Sequence, residues 1–205
     1  MKIALFGATG GAGQQIIAQA LESGHVIQAL VRDPARLSHQ NPNLSLITGD
    51  VLDPAAVAQT LAGTDAAIVS LGNTANNPDW IVSNGTQVII EAMKQRGPRR
   101  LIVISSLGVG DSKDQVPFAF KMLMKTVIKK PMEDKERQEQ IVRASGLDWT
   151  IIRPGGLTNG PRTGNYRSGL DPKISAGQVS RADVAAFTLR QLDDTAFLHQ
   201  APAIT

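Results

Sequence analysis

The 205-residue chain has no cysteine, three histidines and a single tyrosine. Without a thiol there is no disulfide, no thiolate metal ligand and no cysteine nucleophile. The histidines, His25, His39 and His199, stand far apart and lack ligand spacing, so no metal site is expected. No apolar run is long enough to span a bilayer, and the opening run breaks at Gly7, too soon for a secretory signal. A cytoplasmic protein with no membrane attachment is the expectation. Charge is scarce in net terms: 21 Lys and Arg against 18 Asp and Glu leave +3, too little and too dispersed for a nucleic-acid partner. Linkers, repeats and low-complexity tracts are missing too, and no long exposed apolar stripe is evident. The length and the 42% hydrophobic share suit one domain, residues 1–205, with a sizeable core, and a monomer is expected.

What is present is an alternation. Short apolar runs suited to strands lie at "KIALF" (2–6), "HVIQALVR", "LSLITGD" (44–50), "DAAIVSLG", "RRLIVISSLG" and "LDWTIIRPGG". Between them come helical spacings: 14–22, stopped by Gly24; "DPARL", opened by Asp33-Pro34; 53–63, opened by Asp53-Pro54; 80–96, stopped by Gly97-Pro98; and about 116–144, with Pro131 as a break or kink. A last helix is expected over 183–192. Strand–helix alternation of this kind predicts an α/β fold, a doubly wound, mostly parallel sheet with helices on both faces. The segment around 155–180, glycine-rich up to Gly169, is expected to cover a ligand at the carboxyl ends of the strands.

The first strand-to-helix turn reads "GATGGAG". Gly7, Gly10 and Gly13 form G-x-x-G-x-x-G, with Gly11 beside them. The dinucleotide fingerprint places glycines at such a turn for tightness, for close approach of backbone to a pyrophosphate, and for helix–strand packing. Amide hydrogens and the positive end of the helix dipole would face the phosphates. An NAD site normally has an acidic residue about 20 positions further on, for the ribose 2′-OH. Here Arg32 stands at that place and Arg36 follows, a pair suited to a 2′-phosphate, so NADP(H) is the expected cofactor. Asp33 is read as a cap for the helix that Pro34 opens. Asp50 and Val51 fall where such folds wall the adenine. Ser70, Leu71 and Gly72 end the fourth strand beside the switch point.

Taken together, "KIALFGATGGAGQ", "ALVRDPARL", "GDVLD", "DAAIVSLG", "EAMKQRG", "LIVISSLGVG" and "SGLDWTIIRPGGL" resemble atypical short-chain dehydrogenase/reductases of the NAD(P)H-binding, NmrA-like type. Among these the chain is most similar to the biliverdin-IXβ reductases, also known as flavin reductases. The resemblance runs over nearly the whole chain and is strongest in the first half. It implies a single-domain Rossmann fold and an NADP-dependent reductase. It gives phosphate binding to Gly10, Gly13 and their neighbours Gly7, Thr9, Gly11 and Ala12, and the 2′-phosphate to Arg32 and Arg36. The active-site serine of those reductases matches Ser106, with Ser105 beside it on the cofactor side, and Pro154 is implied to wall the nicotinamide. One departure stands out: a histidine those reductases often carry after the sixth strand is missing from "RPGGL".

Typical short-chain dehydrogenases protonate a nascent alkoxide with the tyrosine of Tyr-x-x-x-Lys. Four residues after Tyr166 stands Leu170, so the dyad is absent and simple carbonyl reduction by that route is not expected. Lys135, in the helix where the family's lysine lies, is left structural or a charge beside the substrate. Hydride transfer to a conjugated ring makes less demand for an acid and chiefly requires alignment. A flavin such as FMN, a linear tetrapyrrole such as biliverdin, or a quinone-like acceptor fits a site furnished with Ser105 and Ser106. The same serines could instead cap the turn that follows them. The alternative function is a non-catalytic NADP(H) redox sensor. Lys121, Lys125, Lys129 and Lys130 form a basic stripe, read chiefly as a solvated helix face.

Overall fold

A computed structural model describes residues 1–74, 79–117, 121, 122, 126 and 128–205. Strand β1 (Lys2–Phe6) sets the architecture. Ile3 and Leu5 point to one face and Ala4 and Phe6 to the other, and all four are fully buried. A strand apolar on both faces needs helices on both sides. Parallel neighbours supply the rest of the layer: β2 (Val26–Val31), β3 (Leu44–Thr48), β4 (Ala66–Val69), β5 (Arg100–Ile104) and β6 (Asp148–Pro154). With the short β8 (Ser168–Gly169) and β10 (Ala203–Ile204), the main sheet has eight strands in the order β3-β2-β1-β4-β5-β6-β10-β8. All of β1 to β6 run parallel, but strands are added on one side of β1 through β3 and on its other side from β4 on, which places a topological switch point at the carboxyl ends of β1 and β4.

On one face lie α1 (Gly11–Glu22) and α5 (Arg181–Arg190), packed over Ile3, Leu5, Ile68 and Ile102. The other carries α2 (Pro54–Leu61), α3 (Ile81–Arg96) and α4 (Lys129–Arg143), over Ala4, Phe6, Val69 and Val103. The doubly wound α/β sheet expected from the alternation is thus the observed one. No helix among the described residues is long and apolar enough to cross a membrane.

Three details differ from expectation. "DPARL" forms a single 3-10 turn, Pro34–Arg36, because Leu37 returns to extended backbone (φ −114°) and buries its side chain. Residues 121 and 122 are helical, but the helix that leads into β6 starts at Lys129, so Pro131 falls in its first turn, where a missing N–H breaks no helical bond. Part of the expected 116–144 helix, Lys125 included, lies outside the described residues. The carboxyl-terminal third also adds short strands: β7 (Gly156–Thr158) pairs with β9 (Gln178–Ser180), while β10 (Ala203–Ile204) extends the main sheet and β8 (Ser168–Gly169) closes its edge antiparallel.

Helix α3 begins without a cap of its own. Trp80, at the N-cap, sits in the left-handed region (φ 64°) and offers no side-chain bond. Asp134 of α4 caps it from outside, accepting from Val82 N–H at 3.1 Å and Ser83 N–H at 2.8 Å, with its carboxylate buried. Gln138, one turn on, donates to Thr86 Oγ1 at 2.8 Å. Two helices on one face are thereby locked in register above the ends of β4 and β5. Asp134→Ala should lower unfolding free energy by about 2–3 kcal/mol, since two buried amides lose a charged acceptor. Urea denaturation measures it, and Asp134→Asn, which keeps an acceptor, should lose less.

Candidate functional site

The β1–α1 turn is built from glycines with distinct duties. Gly7 has φ +87°, and a Cβ there would collide with the Ser70 carbonyl, so the glycine lets the ends of β1 and β4 close up. A Cβ on Gly13 would strike the Gly7 carbonyl and Ala8, so its absence lets α1 seat against the strand. Gly10 is the N-cap in extended backbone (φ −74°, ψ 160°) and its side offers only the Gly7 carbonyl, 3.4 Å from a Cβ. Helix α1 has neither a side-chain cap bond nor an acidic residue in its first turn. Its leading amides, from Gly11, Ala12 and Gly13, have no backbone acceptor among the described residues, and the Thr9 carbonyl beside them takes a bond from Gln14 Nε2 at 3.1 Å. Such a cradle suits a pyrophosphate.

At the end of β2 the chain leaves the sheet with Val31 buried and Arg32 exposed. Asp33 turns its carboxylate to Ala35 N–H at 3.0 Å, as the cap of the 3-10 turn. Asp33 and Arg32 form no ion pair among the described residues. Arg32 and Arg36 are both exposed, and neither has an ion pair among the described residues. Next to them, past β3, Asp50 accepts from Leu52 N–H at 2.9 Å and Val51 is buried. Val51 and Leu71 meet over Gly85 of α3: a Cβ there would stand 2.8 Å from Val51 Cγ1 and 3.2 Å from Leu71 Cδ1. The structure thus joins Val51 to Leu71 as one apolar wall beside the switch point. Gly85 was missed from sequence, although a glycine within a helix costs about 1 kcal/mol and its retention is a signal.

Between β4 and β5 the two strand ends are tied by Lys135 of α4. Its Nζ donates to the carbonyls of Leu71 at 2.9 Å and Ile104 at 2.7 Å, and to Gln138 Oε1 at 3.3 Å. Burial pulls this amine down to about 8, against the opposing pull of Asp134 and Glu139. Pro131 stands four residues before it, where the tyrosine of the dyad would be. Ser70 and Leu71 are half-buried at this edge, and Gly72 is exposed.

The two serines after β5 differ. Ser105 is buried, and its hydroxyl donates to Glu139 Oε1 at 2.7 Å. Ser106 is half-buried, and its hydroxyl donates to the neighbouring Leu107 carbonyl at 3.2 Å. Behind Ser105, Glu139 also grips Arg153 of β6: Arg153 Nε donates to Oε1 at 3.0 Å and Nη2 to Oε2. Both side chains are under 5% exposed, while Asp111, the guanidinium's third contact, is 75% exposed. Desolvation would raise Asp111, but the Arg153 bond and charge hold it below the usual carboxylate range. Pro154, buried next to Arg153, closes β6 and accepts from Leu107 N–H at 2.9 Å. Glu139, Asp134 and Gln138 were not singled out from sequence, because "EDKERQEQ" looks like a solvated run. Only their spacing at positions 134, 138 and 139, on one side of a helix, marks an inward face.

The described candidates therefore collect along one edge: the glycine cradle, the arginine pair, the Val51–Leu71 wall, the Lys135 tie and Ser106. This is the binding edge of a doubly wound nucleotide-binding protein. Residues 7–195 match the NAD(P)H-binding family, to which the chain belongs. It is 30% identical to a Bacillus subtilis protein named an uncharacterised sugar epimerase, YhfK, over 95% of this chain and 89% of the other. It is 30% identical to the Aspergillus terreus reductase pytE, over 93% and 87%. Among solved structures, the anaerobillin reductase ChuY of Escherichia coli O157:H7 superposes with a TM-score of 0.84 at 27% identity, covering 100% of this chain and 96% of that one.

Proposed function

We propose that this protein is an NADPH-dependent reductase acting on a flat conjugated acceptor, a flavin such as FMN or a linear tetrapyrrole. The observation that carries the reading is the pairing of an uncapped glycine cradle with two arginines at the end of β2 that have no ion pair among the described residues. The cradle takes a pyrophosphate, and the arginines take the extra phosphate that separates NADP from NAD. Bound there, the cofactor supplies a hydride. The chain's own part is to hold the nicotinamide against Pro154 and to keep Ser106 toward the acceptor, under the segment 155–180. With Pro131 in place of the tyrosine and Lys135 spent on two carbonyls, the family's acid pair is not available to the acceptor. That suits a ring system whose added electron pair is delocalised and whose proton comes from water. The reductases among the relatives are consistent with this chemistry. Sugar epimerisation fits less well, since it passes through a carbonyl and calls for the absent acid.

A second reading, a redox sensor that binds NADP(H) without turnover, draws on the Ser105–Glu139 bond, which leaves one hydroxyl for chemistry. A panel of flavins, bilins and quinones, followed by loss of NADPH absorbance, separates the two. The reductase reading expects turnover with at least one planar acceptor, and at least a tenfold lower rate for Ser106→Ala, the scale of one lost transition-state hydrogen bond. Tight NADPH binding with no turnover on any acceptor at high enzyme would leave the sensor.

A further inference from the structure

Gly11 is outside the G-x-x-G-x-x-G spacing and needs its own explanation, which lies across the interface in α5. The side chain of Arg181, the first residue of that helix, lies over Gly11. A Cβ on Gly11 would stand 2.7 Å from Arg181 Cδ and 2.8 Å from Nε. Any other residue at 11 would push the guanidinium away from the first turn of α1. The backbone beneath Arg181 is fixed three ways. Ser180 caps α5 through Asp183 N–H at 2.9 Å, Gln19 of α1 donates to the Ala182 carbonyl at 2.8 Å, and Asp183 accepts from Thr163 and Gly164 N–H. The side chain is aimed as well: Nη1 donates to Asn159 Oδ1 at 2.7 Å. No carboxylate pairs with it among the described residues.

This is an unfavourable place for a lone cation. The amino-terminal end of α1 carries the positive pole of the helix dipole, has no cap and has no acidic first turn. A fixed guanidinium laid against it adds like charge to like. An anion held between them resolves the conflict, because amides and guanidinium then donate to the same oxygens.

We propose that Arg181 is a third cofactor-binding arginine, one that clasps the pyrophosphate from the α5 side while α1 holds it from beneath. This rests on the NADP(H) reading above and adds a division of labour to it. Arg32 and Arg36 act on the 2′-phosphate and so choose between cofactors. Arg181 acts on a group common to both and sets affinity without choosing. Asn159 positions it, which links the segment after β6 to the nucleotide.

Calorimetry with NADP⁺, NAD⁺ and adenosine 2′-monophosphate tests the assignment on the wild type, Arg181→Gln and Arg181→Lys, with circular dichroism to establish folding. For Arg181→Gln, both dinucleotides should bind at least tenfold more weakly and by the same factor. Adenosine 2′-monophosphate, which lacks the pyrophosphate, should bind within twofold of wild type, and Arg181→Lys should fall between. Unchanged dinucleotide binding in folded Arg181→Gln overturns the role of Arg181 and leaves the cofactor reading standing. So does a parallel loss of the monophosphate, which would mean a collapsed site. A wild type that binds neither dinucleotide at millimolar concentration overturns both.

Discussion

Replacing Arg32 and Arg36 together with alanine will weaken NADPH binding by about 2–4 kcal/mol, from two lost charge-assisted contacts, which is roughly 30- to 1,000-fold in dissociation constant. NADH binding will stay close to that of the wild type. The asymmetry follows from position. Arg32 is the first residue past the buried end of β2, where an NAD site would carry its acidic residue, and Arg36 ends the 3-10 turn that follows. The adjacent acid, Asp33, accepts from Ala35 N–H and caps the 3-10 turn. Both guanidiniums are exposed and unpaired among the described residues, so no internal bond must break before they meet a phosphate. The effect should shrink as salt rises, because exposed charges are screened within a Debye length of about 8 Å at physiological ionic strength. Titration of each variant with each cofactor, followed by nicotinamide fluorescence, measures the two constants. Equal losses for NADH and NADPH would mean that the arginines support the fold of the β2–β3 connection instead, and the preference for NADP would lose its basis.

Why that corner could be read from sequence while the other end of the site could not is a matter of sequence distance. The cradle and the arginine pair are local. Gly7 to Gly13 is one turn, and Asp33-Pro34 caps the next element within three residues. Apolar runs such as Ile3–Phe6 betray a sheet covered on both faces, so the alternation of strands and helices was legible too. The acceptor end is assembled from far apart. Lys135 joins carbonyls at 71 and 104, and Asp134 caps a helix 51 and 52 residues before it. Nothing in "EDKERQEQ" distinguishes a buried Glu139 from an exposed Glu133, because side-chain type fixes neither rotation of the helix nor what lies above it. The two-residue strands β8 and β10 fall below any periodicity that alternation can reveal. Ser105 and Ser106 are adjacent and chemically identical, and only tertiary structure sends one hydroxyl to Glu139 and leaves the other on the neighbouring Leu107 carbonyl.

Glu139 is also where a single substitution should cost the most stability. Glu139→Ala removes both oxygens of a fork that holds the Arg153 guanidinium, and it strands the Ser105 hydroxyl as well. Arg153 is 4% exposed and Glu139 3%, so neither can turn to solvent without moving β6 or α4. Breaking a buried pair from one side costs about 3–5 kcal/mol, because the surviving charge stays desolvated. That is a large fraction of the roughly 5–15 kcal/mol by which a typical domain is stable. Asp111→Ala removes a carboxylate from the same guanidinium, but one already 75% exposed, and should cost about 1 kcal/mol or less. The buried position of the pair predicts one more contrast. The double variant Glu139→Leu/Arg153→Met takes both charges away and should regain most of what Glu139→Ala loses, since packed apolar pairs commonly match or exceed buried ion pairs in stability. Yet it will not restore the hydroxyl bond that fixes Ser105 at the end of β5. The double variant should therefore melt near the wild type while its KM for the acceptor rises, as the edge carrying Ser106 loosens. Urea denaturation of the three variants orders them, and a Glu139→Ala no less stable than Asp111→Ala would show that water, and not Glu139, satisfies Arg153.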